Sequence, residues 1–468
     1  MYAKVVIILC IAVYYTIGKT EYRAKNANPF IYDQAGYYNY LPAFFIYKDL
    51  NFNYLNNAPP ASRAFISSQQ HKAGHSVNMN RYSTGIAFLL SPFFGLAHLQ
   101  AYLSGAPPDG FSAPYQSWIY IGHFFYLLIA FFLLRQILSF YYKDPIIAWT
   151  IGLIGLGTNL AYYAIYEPLM SHNYSFFLFS LSLFLAIKWL NKQQNSTLLL
   201  LGFTIGLLAN TRLTNLIFVL VLMLWNASSY NALKERFLLL LKHWKVLLLA
   251  FGIGCIPFLP QLWYWQHSTG HWLVNSYGAQ SVFFWADPMI GEILWGYKKG
   301  WLLYSPLMLF AVVGLGFLYQ QFPKIFWSIF LYTLLNWYII SCWWCWWYGG
   351  SFGMRPLIES MAPLSLAVAA FLHWAFQSKR TKIPMVGAIV LGIGLNAFQS
   401  YQYSYNCIDS FGMTRKAYWI VFGQLPPLSP SVAKEYDKSL LGVYMNQMTI
   451  EDRNETKTYN ERIEMESE

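Results

Sequence analysis

The chain consists of long apolar runs that short polar connections separate. An apolar helix of about 17 to 25 residues is long enough to cross a hydrocarbon core about 30 Å thick. The candidate runs are residues 3–18, 117–138, 146–166, 172–189, 197–209, 213–226, 246–265, 301–319, 324–342, 357–377 and 382–400. The pattern therefore predicts an all-α, polytopic membrane protein with about 11 transmembrane helices.

Two of these runs, 197–209 and 213–226, are short and could together form one long helix. The sequence NTRLTN between them places Arg212 among small polar residues. A charged side chain at the middle of a bilayer is energetically costly. We therefore interpret the two runs as separate helices, with Arg212 in the turn between them.

The lysines and arginines of the short connections predict the orientation. With eleven spans, the connections on one side of the membrane carry Arg135, Lys143, Lys188, Lys192, Lys234 to Lys245, Lys324, and Lys379 to Lys382. Short cytoplasmic loops are enriched in Lys and Arg, so this side is predicted to be cytoplasmic and to hold the N-terminus. The external side then receives residues 19–116, residues 266–300 and the segment from about residue 401.

Two apolar segments have a second interpretation. Met1–Gly18 could be a cleaved signal peptide, but no small-residue cleavage site follows it, so we favour an uncleaved first helix. Arg81–Leu103 is long enough to span, yet counting it would place the basic loops outside. We interpret it as an amphipathic helix at the external interface. The final stretch EDRNETKTYNERIEMESE is charged and is predicted to be disordered.

Composition agrees with a membrane location and argues against nucleic-acid binding. Hydrophobic residues make up 56% of the chain and charged residues 11%, against about 25% charged in soluble domains. The 31 Lys and Arg exceed the 20 Asp and Glu, but they are scattered and form no basic cluster beside an exposed aromatic sheet. Anionic membrane lipids therefore account for the charge, and no nucleic-acid partner is expected.

The five cysteines predict neither a disulfide framework nor a metal site. The sequence CWWC, from Cys342 to Cys345, has the spacing of half a zinc site. No second pair and no histidine partner follow it, and two cysteines cannot complete a tetrahedral site. Packing is the favoured interpretation.

Polar residues that suit chemistry collect at the external ends of the predicted spans. Asp33 follows the first run in IYDQAGYYNYLPAFFIYKDL, among aromatic residues typical of a membrane interface. The other polar residues of this set are Asp49, Arg81, Glu167, His172, Arg212, Lys298, Lys299, Arg355 and Glu359. A carboxylate here can accept a proton from an acceptor hydroxyl, and Arg or Lys can bind a phosphate leaving group. This combination suits a reaction between a polar acceptor and a lipid-linked phosphate.

The order of these features resembles the GT-C superfamily of membrane glycosyltransferases. The resemblance rests on YDQAGYYNYLPAFF, EPLMSHNYSFF, TRLTN, KKGWLLYSP and GGSFGMRPLIE, in this order and on this topology. It covers roughly residues 1–400, the predicted catalytic domain, and leaves 401–468 as an external C-terminal segment. Within the superfamily, the chain is similar to the bacterial branch of protein O-mannosyltransferases and of the aminoarabinose transferases that modify lipid A.

The resemblance implies a GT-C fold with interfacial helices in the first external loop. It also implies inverting transfer of a sugar from a polyprenyl phosphate carrier to a lipid, glycan or protein acceptor. The reaction would take place on the external, periplasmic side of the inner (plasma) membrane. Some relatives carry a paired acidic motif and a divalent metal, whereas Asp33 stands alone between Tyr32 and Gln34. No cofactor and no obligatory metal are therefore expected.

The resemblance also assigns roles to the candidate residues. Asp33 would be the catalytic base, and Glu167 would orient the acceptor or the donor. Arg355, with Lys298 or Lys299, would bind the carrier phosphate. The remaining substrate-binding candidates are His172, Arg212 and Arg81.

Each role has a simpler alternative. Asp33 could cap a helix, and Glu167, which precedes Pro168, could begin one. The basic residues could mark span ends, and Arg212 could cap a broken helix pair. For the whole protein, two rivals stay open: a lipid-linked sugar flippase or transporter, and a glycan ligase or polymerase.

Overall fold

The computed structural model describes residues 1–25 and 28–440, which are mostly helical. Its α-helices are α1 Tyr2–Lys25, α2 Tyr32–Tyr38, α3 Tyr40–Pro42, α4 Gly85–Ser104, α5 Ala113–Ser139, α6 Asp144–Leu156, α7 Asn159–Tyr166, α8 Ser171–Lys192, α9 Asn195–Thr211, α10 Val219–Leu224, α11 Tyr230–Lys242, α12 Trp244–Cys255, α13 Leu259–Thr269, α14 Ile290–Trp295, α15 Trp301–Tyr304, α16 Leu309–Gln321, α17 Pro323–Cys342, α18 Met361–Ala375, α19 Lys379–Ser404, α20 Arg415–Val421 and α21 Pro430–Asp437. A π-helical turn spans Ala43–Tyr47, and short 3-10 segments include Leu213–Phe218 and Arg355–Leu357.

The all-α, polytopic class is confirmed. Within the described residues, seven helices are long and apolar enough to cross a membrane, or eight if the pair α6 and α7, bent by 60°, forms one span. Every predicted run coincides with a helix or with consecutive helices. Four shorter apolar helices, Asn195–Thr211, Leu213–Leu224, Pro306–Gln321 and Met361–Ala375, fall below the length of a straight span. About eleven crossings therefore require that these shorter helices also traverse the bilayer.

Helix α4 is among the seven, although the sequence analysis places it at the interface. It runs antiparallel to the first half of α5, where the carbonyl of Leu89 accepts a hydrogen bond from Tyr126 and the ring of His98 contacts the hydroxyl of Tyr115. Its first residue, Gly85, packs against the backbone of Asn210. Helix α4 thus lies along the first half of α5, and its assignment to the interface rather than to a full crossing stays a prediction.

The predicted break at NTRLTN is confirmed. Helix α9 ends at Thr211, Arg212 has extended backbone angles, and a 3-10 segment begins at Leu213. The side-chain amide of Asn215 donates to the carbonyl of Leu208 and so holds the chain against the end of α9. Arg212 therefore projects from a turn, where its polar head avoids the cost of a mid-helix position.

The centre of the bundle is α8, the most deeply buried of the seven candidate spans. It packs against α5 on one side and α9 on the other. Helices α9 and α12 cross through glycines: a Cβ added to Gly206 would lie 1.8 Å from the carbonyl oxygen of Gly254. Small residues allow this close backbone contact between membrane helices.

Two extramembrane segments contain structure that the sequence analysis did not predict. A β-hairpin, β1 Ile66–Gln70 and β2 Ser76–Asn80, forms in the first loop, with Ile66 opposite Asn80 and Gln70 opposite Ser76. Strand β1 is mostly polar, whereas in β2 Val77 and Met79 alternate with polar residues, a short signal of a half-buried strand that was overlooked in the sequence. After α19, helices α20 and α21 pack together. The predicted disordered end lies within 441–468, outside the described residues.

The basic connections gather at one end of the bundle. Tyr142 donates to Gln321, and its ring packs against Phe322 and His373, which brings together the connections beside Lys143, Lys324 and Lys379. Helix α8 begins in the opposite half, at Ser171, and ends at Lys192, about 30 Å away at 1.5 Å per residue. Asp33 lies with the start of α8, as described below. Which side of the membrane each end faces stays a prediction.

Reporter fusions can determine this orientation. Fusions after Asn226 and Gln377 are expected to report cytoplasm, and fusions after Asn57 and Gly291 are expected to report the outside, because the basic loops lie with the first pair. A protease-accessibility or reporter-activity assay provides the measurement. A cytoplasmic signal from the Asn57 fusion would place Asp33 on the wrong side for chemistry at the outer face.

Candidate active site

Asp33 is held in place at the start of α2. The residue before it, Tyr32, has a left-handed φ of 49°, a strained conformation for a non-glycine residue that is typical of functional sites. The Oδ2 atom of Asp33 lies 2.8 Å from Nη2 of Arg355. The N-cap of α2 is Ile31, and no side chain caps the helix. The alternative that Asp33 is the helix cap is therefore wrong.

The glycine-rich loop before Arg355 brings that arginine to Asp33. Gly349 and Gly353 have φ angles of 68° and 59°, which favour glycine because it has no Cβ. A Cβ on Gly353 would lie 3.0 Å from the Cβ of Tyr304. Burial alone would lower the pKa of Arg355, but the charge of Asp33 and other neighbouring groups outweighs burial and holds this pKa above its usual range.

Glu167 is a second carboxylate near Arg355. It follows α7 directly, as its C-cap, and its Oε1 accepts a hydrogen bond of 3.2 Å from the hydroxyl of Tyr162. Helix α8 begins only at Ser171, so the alternative that Glu167 starts a helix is wrong. Burial raises the pKa of Glu167 to about 7, although the positive charge of Arg355 opposes this shift. Such a pKa allows Glu167 to exchange protons near neutral pH.

Arg212, His172 and Glu359 form a buried hydrogen-bonded chain. Nη1 of Arg212 lies 3.1 Å from Nε2 of His172, and Nδ1 of His172 lies 3.0 Å from Oε2 of Glu359. Since arginine has only donors, Nε2 must accept and the imidazole proton must reside on Nδ1, facing Glu359. His172 is fully buried and Glu359 is 4% exposed. Burial raises the pKa of Glu359 to about 8, and Arg212 counteracts part of this rise.

Arg81 and Tyr277 extend the site into the connection before α4 and the connection after α13. The guanidinium of Arg81 lies 5.6 Å from the ring centre of Phe65 and 5.4 Å from that of Tyr277, within cation–π distance. Burial raises the pKa of Tyr277, while Arg212, Arg81 and Arg355 oppose the shift. The Tyr277 ring thus lies in the field of three arginines.

These three arginines have unused hydrogen-bonding capacity. In the described part of the chain, the Nε atoms of Arg81, Arg212 and Arg355 are buried and have no hydrogen-bond partner. A buried donor without a partner is costly, and buried polar groups in native proteins are nearly always satisfied. A bound anion would supply acceptors for such donors.

Lys298 and Lys299 are both buried. The ammonium of Lys299 donates to the carbonyls of Ser351 and Ser410, the latter at 2.7 Å. The ammonium of Lys298 lies 3.9 Å from the ring centre of Trp347. Both residues are at most 3% exposed, and burial lowers the pKa of Lys299. In this structure Lys299 binds two backbone carbonyls and Lys298 packs on the ring of Trp347, so both stabilise the loops around the site. Their assignment to the carrier phosphate stays a prediction.

The structure thus brings together most of the residues that the sequence singled out, and it adds others. Asp33 and Arg355 are in contact, as are His172 and Arg212. Glu359 was singled out beside Arg355 in the sequence but was given no role, and Tyr277 was missed. The position of Tyr277 depends on the path of a long loop.

The residues that the structure describes include no group of three or more His, Cys, Asp or Glu side chains placed to hold a metal ion. Cys342 and Cys345 are buried, and neither takes part in a disulfide among the described residues. The expectation that no divalent metal is required stays a prediction.

No family model matches the chain, and no curated protein matches it. Among solved structures, it is similar to the oligosaccharyltransferase of Archaeoglobus fulgidus in the apo form, with a TM-score of 0.47 and 12% identity over 94% of this chain and 60% of that one. The same enzyme with zinc and sulfate aligns at a TM-score of 0.45 and 13% identity, over 95% of this chain and 58% of that one. Its complex with an inhibitory peptide and a dolichol-phosphate aligns at 0.43 and 11%, over 94% of this chain and 60% of that one. The chain spans about three fifths of the length of these archaeal structures, and a similarity this distant does not establish a shared activity.

Proposed function

We propose that the protein is a membrane glycosyltransferase of the GT-C type, which moves a sugar from a polyprenyl phosphate carrier to an acceptor hydroxyl at the outer face of the membrane. The observation that carries this proposal is the Asp33–Arg355 ion pair of 2.8 Å beside the Arg212–His172–Glu359 chain. A proton acceptor and arginines for a phosphate thereby lie together at one end of a bundle of apolar helices.

Asp33 is assigned as the base that takes the acceptor proton. The acceptor oxygen attacks the anomeric carbon from the face opposite the phosphate, a new carbon–oxygen bond forms, and the bond from that carbon to the phosphate oxygen breaks. The configuration of the anomeric carbon is inverted, and the carrier leaves as its monophosphate. Glu167 orients the acceptor, and its pKa of about 7 also suits transient uptake of the proton.

The charge of the site supports a phosphate ligand. Arg81, Arg212 and Arg355 supply three positive charges, while the one carboxylate that forms an ion pair with an arginine in the described part of the site is Asp33. Developing negative charge on a leaving phosphate is stabilised by such preorganised donors. The Nε atoms of the three arginines are donors that no hydrogen bond among the described residues occupies, and a phosphate is an acceptor of the kind they lack.

A purified-protein assay with a synthetic polyprenyl phosphate sugar tests this function. We expect release of polyprenyl monophosphate that depends on an added acceptor, because transfer breaks the bond between sugar and phosphate. Thin-layer or mass-spectrometric analysis of the lipid product is the measurement. Release of a polyprenyl diphosphate from a diphosphate-linked donor would favour a glycan ligase or polymerase. Movement of intact donor across vesicles without cleavage would favour a flippase.

A further inference from the structure

A large apolar cavity lies in the bundle, apart from the candidate active site. Its volume is about 380 Å³, and helices α8, α9, α10, α11 and α12 line it. Leu201 of α9, Val219 of α10 and Phe251 of α12 are among its aliphatic and aromatic walls. On α9 the lining extends from Leu198 to Ala209, about 16 Å at 1.5 Å per residue. This depth is close to half of a hydrocarbon core about 30 Å thick, which is one leaflet.

One end of the cavity is basic. Among the described residues that line it, Arg236 alone is charged. Arg236 belongs to α11, and its guanidinium donates to the carbonyls of Met223 and Trp225 at 3.1 and 2.7 Å. Helix α11 ends beside the far end of α8, where His243 contacts Gln193. The charged end of the cavity therefore lies toward the Lys192 end of α8, away from His172 at its start.

Helix α11 is itself suited to a membrane surface. None of its residues is buried, and Phe237, Leu238 and Leu241 are at least half exposed. Lys234 and Lys242 add positive charge to the same helix. A helix with bulky apolar residues and a basic polar face binds at the boundary of an anionic leaflet.

We propose that this cavity binds one acyl chain of an anionic phospholipid from the leaflet opposite the candidate active site, with the headgroup against the basic residues of α11. The apolar walls accept the chain, and Arg236 with its neighbours attracts the phosphate. The tail of a sugar donor fits less well. A donor whose phosphate is at Arg355 would leave the charge of Arg236 beside hydrocarbon, which is unfavourable.

Native mass spectrometry of the full-length protein tests this site with two probes that differ only in headgroup: phosphatidylglycerol and phosphatidylcholine with the same acyl chains. No sugar donor is present, so the result is independent of the proposed transfer reaction. We expect phosphatidylglycerol to bind tighter by about fivefold or more, the factor that one basic residue contributes near an anionic lipid. Equal binding of the two lipids would overturn the headgroup assignment and with it the proposal.

A matched pair of variants on α9 locates the chain. Leu201 lines the cavity, whereas Leu200, its neighbour, is 48% exposed on the outside of the helix. Leu201→Trp should fill the cavity and weaken phosphatidylglycerol binding by more than about tenfold, because several methylenes lose their apolar contacts. Leu200→Trp should leave binding unchanged. Equal binding by both variants would show that the chain lies elsewhere.

A second variant covers the case in which Leu201→Trp does not fold. Arg236→Gln keeps donors for the carbonyls but removes the charge, so it should abolish most of the preference for phosphatidylglycerol and leave phosphatidylcholine binding unchanged. Retained preference in this variant would contradict the proposal. Displacement of bound phosphatidylglycerol by polyprenyl phosphate at equal concentration would also overturn it, since the cavity would then hold the carrier tail.

Discussion

Asp33→Asn is expected to reduce sugar transfer by about two to four orders of magnitude, because the amide keeps the size of the side chain but cannot accept the proton of the acceptor. Asp33 lies in the first turn of α2, but the N-cap is Ile31 and the Asp33 side chain pairs with Arg355 at 2.8 Å, so loss of a cap cannot produce the same result. Initial transfer rates in detergent, with donor binding and thermal stability recorded in parallel, provide the measurement. Donor binding and folding should persist.

A matched control is available in the same loop. Oδ1 of Asp49 accepts a hydrogen bond from the backbone of Asn51, and Oδ2 accepts one from the backbone of Tyr54. An asparagine can replace only one of these acceptors, so Asp49→Asn should lower thermal stability but leave the transfer rate near that of the wild type. If Asp33→Asn also retained near-normal transfer, Asp33 would not be the base, and Glu167, with its pKa of about 7, would become the candidate.

Glu359→Gln is expected to remove a pH dependence from donor binding. In the structure the carboxylate of Glu359 accepts the Nδ1 proton of His172, and this leaves Nε2 free to accept from Arg212. When Glu359 takes up a proton it donates to Nδ1, so the imidazole proton moves to Nε2 and the acceptor for Arg212 is lost. Burial raises the pKa of Glu359 to about 8. The competent form is therefore the deprotonated one, and donor binding should improve as the pH rises through about 8.

The size of this effect follows from one hydrogen bond to a charged group, worth about 1.5 to 3 kcal/mol, or about tenfold to 150-fold in KM. A glutamine cannot exchange a proton, so the change in donor KM near pH 8, the pH limb, should be absent in Glu359→Gln, whichever way the amide faces. Arg212→Gln should remove the same limb, while Glu235→Gln, an exposed carboxylate on α11, should retain it. Donor KM measured from about pH 6 to pH 10 decides the matter. A limb that persists in Glu359→Gln would mean that another group, such as Glu167, controls it.

The sequence alone predicted the helices well because their signal is local. Each apolar run became a helix, and the polar residues around Arg212 ended one. The partners of Arg212 were not predictable, because this arginine contacts His172, and through it Glu359, only when separate helices pack together. The order of the candidates along the chain placed Asp33 and Arg355 in one site, but only the fold shows that they touch.

The failures have equally physical causes. The number of crossings depends on tilt and packing, which apolar length does not determine, so α4 and the four shorter helices could not be assigned from hydropathy. Lys298 and Lys299 stand at a span end, and the sequence could not show their burial against Trp347 and two carbonyls, because this burial is a property of the folded loops. Long loops carry no periodicity from which the position of Tyr277 could be deduced.

The two hydrogen bonds of Lys299 bear on the position at which the transmembrane domain ends. One ammonium joins the carbonyl of Ser351, in the loop that presents Arg355, to that of Ser410, beyond the last membrane helix. If the transmembrane domain ended at residue 400, the Lys299 ammonium would lose the carbonyl of Ser410, one of its two hydrogen-bond acceptors. A buried charge would then keep only one acceptor, which is costly. The short segment after α19 therefore supports the loop that presents Arg355, through a backbone carbonyl whose position depends on the fold of that segment.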